Sequence, residues 1–199
     1  MMEASKASGR ANVNRRAKAA NRDSEHRERL LEAGAPLFAA KGIVSVSVAE
    51  VIAAAGLSRA TFYGFFANKN ELAAAILLPV FDSGLVALTQ LDGLPPREAA
   101  DGLIDTYLQL WREHKNALLL TGIVDSGVFP YVASQHQAFN DALLRVLRII
   151  ESGDLLKNNS AELTLEVLAR TGVPLLRIYK DHAELEKLYR ESLLALIIK

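Results

Sequence analysis

Residues 56–66 read GLSRATFYGFF, and the groups able to do chemistry there are Ser58, Arg59, Thr61 and Tyr63. A guanidinium presents a rigid fork of donors, and hydroxyls donate or accept. At the start of a helix, beside free backbone amides, such groups suit phosphate oxygens and the edges of bases in a major groove. Ala60 is small enough to let a partner come close. The same stretch carries Phe62 and Phe66, four residues apart, which share one helical face and should reach a core. The pattern therefore reads as a short helix anchored by rings on one side and offering Arg59, Ala60, Thr61 and Tyr63 on the other.

Such a helix has to be aimed by its neighbours. SVAE (47–50) is a capping box, in which the Ser47 hydroxyl accepts from the Glu50 amide and the Glu50 carboxylate reaches back. It predicts a helix over 48–55, with Val48, Val51 and Ile52 facing inward. Gly56 ends that helix through positive φ at little cost, and Leu57 fills the angle that follows. Ser58 caps a helix over about 59–66, and NKNE (68–71) starts another. Ahead of these, ordered structure is expected to begin near Asp23–Ser24. Leu30, Leu31, Ala33, Leu37, Phe38 and Ala40 recur at helical spacing until Gly42. Pro36 is awkward inside that helix, since it removes a hydrogen bond. Two short helices joined by AAGLS form a helix-turn-helix candidate.

The 199 residues are 50% hydrophobic and 23% charged, a composition that builds a globular core. The chain has no cysteine, which excludes disulfides, thiolate metal sites and cysteine nucleophiles and fits a reducing compartment. The longest apolar run, LAAAILLPVF (72–81), is well short of the roughly 18 residues of a membrane span. No apolar segment follows the basic N-terminus as a secretory signal would require. The expected location is the cytoplasm. Formal net charge is zero, yet residues 1–75 hold eleven basic to seven acidic residues and the remainder twelve to sixteen. Residues 1–22, with Lys6, Arg10, Arg15, Arg16, Lys18 and Arg22, lack an apolar stripe and read as a flexible basic arm, suited to a polyanion or simply to solvent.

Beyond residue 71 the pattern stays helical: 71–91, a helix started by LPPRE (94–98) and running to about His114, then 116–125, 131–151, 160–178 and 182–198, with a break at SGVFP (126–130). The fold class is all-α with about nine helices. The expected domains are the arm (1–22), a three-helix DNA-binding domain (23–70) and a larger helical domain (71–199).

IVSVSVAEVIAAAGLSRATFYGFFANKNEL (43–72), preceded by ERLLEAGAPLFAAKG, resembles the TetR-like transcriptional regulators. The match is strong over about 24–72; the rest agrees in length and helical character. The resemblance implies operator DNA as partner, with phosphate contacts from Ser47, Tyr63 and Lys69 and recognition-helix positions at Arg59, Ala60 and Thr61. Two departures stand out. Gly64 replaces a larger groove-facing residue, and Phe65 replaces a commoner His or Tyr. Either the backbone approaches DNA more closely at Gly64, or Arg59 and the arm residues Arg15, Arg16, Lys18 and Arg22 carry more of the affinity, along phosphates or in a minor groove.

The resemblance also implies that the larger domain binds an effector and dimerises, here through the apolar helices 160–178 and 182–198. Closing the monomer core is the plainer role for both. Tyr107, Trp111 and His114 share a helix face; with Phe129, Phe139 and Tyr179 they are candidates to line a pocket for a small, mostly apolar effector. Tyr131 and His136 lie in the same region. His26, His114, His136 and His182 show no metal-ligand spacing, and no cofactor is expected. No GxSxG, phosphate loop, HExxH or Glu-x-x-His pair points to an enzyme. The alternative from another class is a helical module whose helix-turn-helix grips a protein partner.

Overall fold

The computed structural model describes residues 2–121 and 127–199, with side chains, Ala19 excepted, from Lys18 onward. Among the described residues eight helices follow in chain order: α1 (Met2–Lys41), α2 (Val48–Ala55), α3 (Arg59–Phe65), α4 (Lys69–Thr89), α5 (Pro96–Thr121), α6 (Phe129–Ser152), α7 (Ala161–Tyr179) and α8 (Leu185–Ile197). Among the described residues the only extended pairing is one antiparallel bridge between Leu156 and Ile198.

Two sequence expectations change. Among the described residues eight helices stand where about nine were expected, because the helix started by LPPRE (94–98) and part of 116–125 form one element, α5. The break between them survives as a kink at His114 (φ −134°, ψ 33°), whose imidazole Nε2 lies 3.0 Å from Ser83 Oγ. The second change is at the N-terminus. Segment 1–22 was expected as an arm with structure starting near Asp23–Ser24, but α1 is helical from Met2. The segment is rich in Ala, Lys and Arg and free of proline, so backbone propensity favours helix even though no apolar stripe does.

The chain divides into two compact units, Met1–Leu72 and Ala73–Lys199. In the first, Leu30 and Phe38 of α1, Val51 and Ala55 of α2, and Phe62 and Phe66 form a buried core closed by Ile43, Val46 and Leu72. In the second, α5, α6, α7 and α8 pack around Leu103, Ile104, Leu120, Leu147, Leu176 and Tyr189, all almost fully buried. By length and composition α4 could cross a membrane, with mean hydropathy 1.9, but half of that window is buried inside the protein. That is how a core helix behaves.

Candidate nucleic-acid interface

The first unit builds its helix-turn-helix from caps. Ser47 Oγ accepts from the Glu50 amide (3.2 Å), and Glu50 Oε2 accepts from the Ser47 amide (2.8 Å), the reciprocal pair the sequence announced. Lys41 Nζ reaches Glu50 Oε1 at 2.8 Å. The Lys41 ammonium, then the Ser47 amide and hydroxyl, hold the Glu50 carboxyl at about 2, against an ordinary 4.5. Gly56 ends α2 at φ 62°, ψ 38°. A side chain there would be strained in the left-handed region, and its Cβ would stand 3.0 Å from Arg29 Nη2. Ser58 Oγ then accepts from the Thr61 amide (3.1 Å) and pairs with Thr61 Oγ1 (2.8 Å), starting α3. Asn68 Oδ1 accepts from the Asn70 and Glu71 amides (2.9 and 3.0 Å), starting α4.

Within this frame α3 is two-faced. Phe62 (0% exposed) and Phe66 (3%) enter the core. Arg59, Ala60, Tyr63 and Gly64, at helical spacing i, i+1, i+4, i+5, are exposed. Tyr63 is 48% exposed although it packs edge-on against Phe62, and the Arg59 guanidinium lies 5.8 Å above its ring. That stacking holds a cation and a phenol together at the surface. Thr61 is half-buried, its hydroxyl turned to Ser58. Ser47 and Ser58 are exposed caps.

Lys69 lies differently from the simple phosphate contact that the resemblance implied. Its Nζ donates to the carbonyls of Val44 (2.6 Å) and Val46 (2.9 Å), so two of its three protons tie down the loop before Ser47 and one is left for an outside acceptor. Lys18 and Arg22 are exposed on α1, and Arg22 lines a shallow surface cleft with Asp23, His26, Thr61, Gly64 and Phe65. The side chains of Arg15 and Arg16 lie outside the described residues. Gly64 is helical and exposed, and a Cβ there would meet nothing within 4 Å. Arg29 was not singled out in the sequence: its Nη2 donates to the Ala55 carbonyl at 2.6 Å. The contact spans 26 residues, beyond any helical period.

The six pocket candidates divide. Tyr107 and Phe139 line a cavity of about 120 Å³ in the second unit, with Phe81, His136, Asn140 and Thr121 among its other walls. Trp111 is buried elsewhere, under Lys115 Nζ at 5.0 Å. His114 sits at the kink against Ser83, Phe129 is 46% exposed with its ring edge-on to His136, and Tyr179 bonds to Ser192 Oγ at 2.8 Å. None of these four lines the cavity. Asn140 was missed because an asparagine on an amphipathic helix carries no pattern of its own. Among the described residues no group of His, Asp and Glu could hold a metal ion.

Residues 30–76 match the family described as bacterial regulatory proteins, tetR family. The chain is 22% identical over 152 residues to an uncharacterized HTH-type transcriptional regulator, YerO, of Bacillus subtilis (strain 168), covering 71% of this chain and 52% of the relative. It thus spans about half the length of that curated relative. A tetR-family regulatory protein from Rhodococcus RHA1 superposes with a TM-score of 0.67 at 18% identity, over 86% of this chain and 96% of the other. SmeT, the repressor of the Stenotrophomonas maltophilia multidrug efflux pump SmeDEF, superposes with a TM-score of 0.61 at 20% identity, over 87% and 90%, and is also known as a complex with triclosan.

Proposed function

The chain is TetR-like, and we propose that it works as a sequence-specific DNA-binding transcriptional regulator, a homodimeric repressor released by a small-molecule effector. The observation that carries this reading is the division of α3: Phe62 and Phe66 are buried, while Arg59, Ala60, Tyr63 and Gly64 face outward.

In this reading the exposed face of α3 enters a major groove, where Arg59, Ala60 and Thr61 meet base edges. The Tyr63 hydroxyl, Ser47 and the remaining proton of Lys69 hold phosphates. Ser58 and the free amides of the first α3 turn lie beside them. Lys18 and Arg22, together with Arg15 and Arg16, extend the positive surface along the backbone, which makes binding salt-dependent. Arg29, Lys41 and Glu50 act through geometry, by fixing where α2 and α3 sit.

Palindromic operators require a twofold protein with recognition helices about 34 Å apart. The surface for it lies on α7 and α8, where Leu163 (57%), Ile178 (71%) and Leu196 (44%) are exposed although apolar. The cavity in the second unit supplies the effector site, and the triclosan complex of SmeT supports a small-molecule ligand there. An effector that prefers the conformation with mismatched recognition helices shifts the population away from DNA. A cytoplasmic location goes with this reading, which requires no catalysis and no cofactor.

The test is duplex binding by fluorescence anisotropy. Arg59→Ala with Tyr63→Phe should abolish specific retention while the circular dichroism spectrum is unchanged. Retention equal to the parent chain would shift the helix-turn-helix to a protein partner.

A further inference from the structure

We propose that the cavity of the second unit takes a compact, uncharged single-ring compound bearing one hydrogen-bonding group, of the phenol or benzyl alcohol kind. This rests on the effector reading and specifies the chemical class it would admit.

Size comes first. The cavity measures about 120 Å³. A dry apolar cavity of about 150 Å³ holds one benzene, so a single ring already fills this smaller space, and a small substituent is admitted only with a slight movement of the lining side chains.

Charge comes next. The walls are Val80 and Phe81 of α4, with Leu110 and Leu118 of α5, Leu143 of α6 and Leu165 of α7 among the rest, and among the described residues no Asp, Glu, Lys or Arg lines them. Moving an ion into such a site without a partner is costly. Among the described lining residues, His136 is the one group that could become a cation.

The polar contacts are confined to a few tips. His136 and Asn140, one turn apart on α6, both line the cavity. Asn140 Nδ2 lies 3.4 and 3.5 Å from the two imidazole nitrogens, longer than a good hydrogen bond and shared between both, so amide and ring keep capacity for a ligand. The rings of Phe81 (5.7 Å, 89°) and Phe129 (5.6 Å, 72°) stand edge-on to His136 and set its plane. Tyr107 borders the same space, and burial pushes its phenol upward, so it remains a neutral hydroxyl. A ring in the cavity would have Phe81 and Phe139 as aromatic walls and the Asn140–His136 edge for its hydroxyl.

The site also bears on regulation. Leu165, Leu168, Ala169 and Val173 of α7 form one wall, and the same helix carries the exposed Leu163 and Ile178. Tyr107 packs close to the bare Gly172, where a Cβ would be 3.1 Å from its ring. A ligand that displaces Tyr107 or Leu168 therefore acts on the helix offered for dimerisation.

The experiment is calorimetric titration of the full chain with benzene, phenol, benzyl alcohol, benzoate and benzylamine. Phenol and benzyl alcohol are expected to bind roughly fivefold more tightly than benzene, the worth of one net hydrogen bond. The two charged rings should bind at least about tenfold more weakly than phenol. Asn140→Leu should still bind benzene but lose the margin for phenol. Equal binding of benzoate or benzylamine, no binding of any ring because water alone fills the space, or a phenol margin unchanged in Asn140→Leu would each overturn the proposal. Duplex release measured alongside separates the two readings. Rings that bind without releasing DNA leave the ligand class standing and remove the effector role. Release by a bulkier or charged compound alone does the reverse.

Discussion

The Arg29 guanidinium donates to the carbonyl of Ala55, the last residue of α2, at 2.6 Å. That carbonyl is one of the acceptors a helix end leaves without an internal partner. Arg29 thereby fixes the end of α2 where Gly56 turns the chain toward α3. Arg29→Ala is expected to destabilise the first unit by about 1 kcal/mol. It should weaken duplex binding as well, since the angle between α2 and α3 loosens. Gly56→Ala should cost about 1–2 kcal/mol from its left-handed backbone alone. Urea unfolding with parallel anisotropy titration checks both; unchanged stability in Arg29→Ala would make the contact incidental.

Gly64 is expected to behave in the opposite way. No contact and no unusual φ requires glycine there, so Gly64→Ala should raise stability by about 1 kcal/mol through helix propensity. If the backbone approaches DNA at this point, the same substitution weakens specific binding. The two readouts must therefore diverge, in a denaturation curve and a binding isotherm on one variant.

Much of this was legible in sequence because it is local. Ser47, Glu50, Gly56, Ser58 and Asn68 announce themselves within four residues, and the structure places each cap where its pattern demands. Phe62 and Phe66 follow from one helical period. The unread parts are long-range. Arg29 with Ala55, and Lys69 with Val44 and Val46, pair residues more than twenty apart, where no period applies. The cavity depends on which rings of α4, α5, α6 and α7 converge, so a shared helix face could not separate Tyr107 from Trp111. The helical N-terminus was missed because a polar, alanine-rich stretch has propensity without an apolar stripe.

Acid should act on the first unit through Glu50. Its carboxyl, lowered from 4.5 to about 2 by Lys41 first and then Ser47, adds stability that is fully present above pH 4.5. That contribution is lost as pH falls toward 2, because protonation then breaks the capping box. Thermal melts between pH 6 and about 2 should show Glu50→Gln with a flatter acid slope than the parent chain.

Tyr189 is fully buried in the second unit, and its hydroxyl has no hydrogen-bond partner among the described residues. An unsatisfied buried hydroxyl costs about 1–3 kcal/mol. Tyr189→Phe should thus stabilise the second unit by about 1 kcal/mol, read from the denaturation midpoint. A loss of stability would mean that the hydroxyl is satisfied in solution.

The most direct measurement is selection of bound duplexes from a random pool by the full chain. If the outward face of α3 reads DNA in a twofold assembly, the enriched sequences converge on a palindrome with half-sites about one helical turn apart, and Arg59→Ala with Tyr63→Phe abolishes the enrichment. A pool that stays random with the parent chain, or an identical consensus from the double variant, would contradict the role assigned to α3.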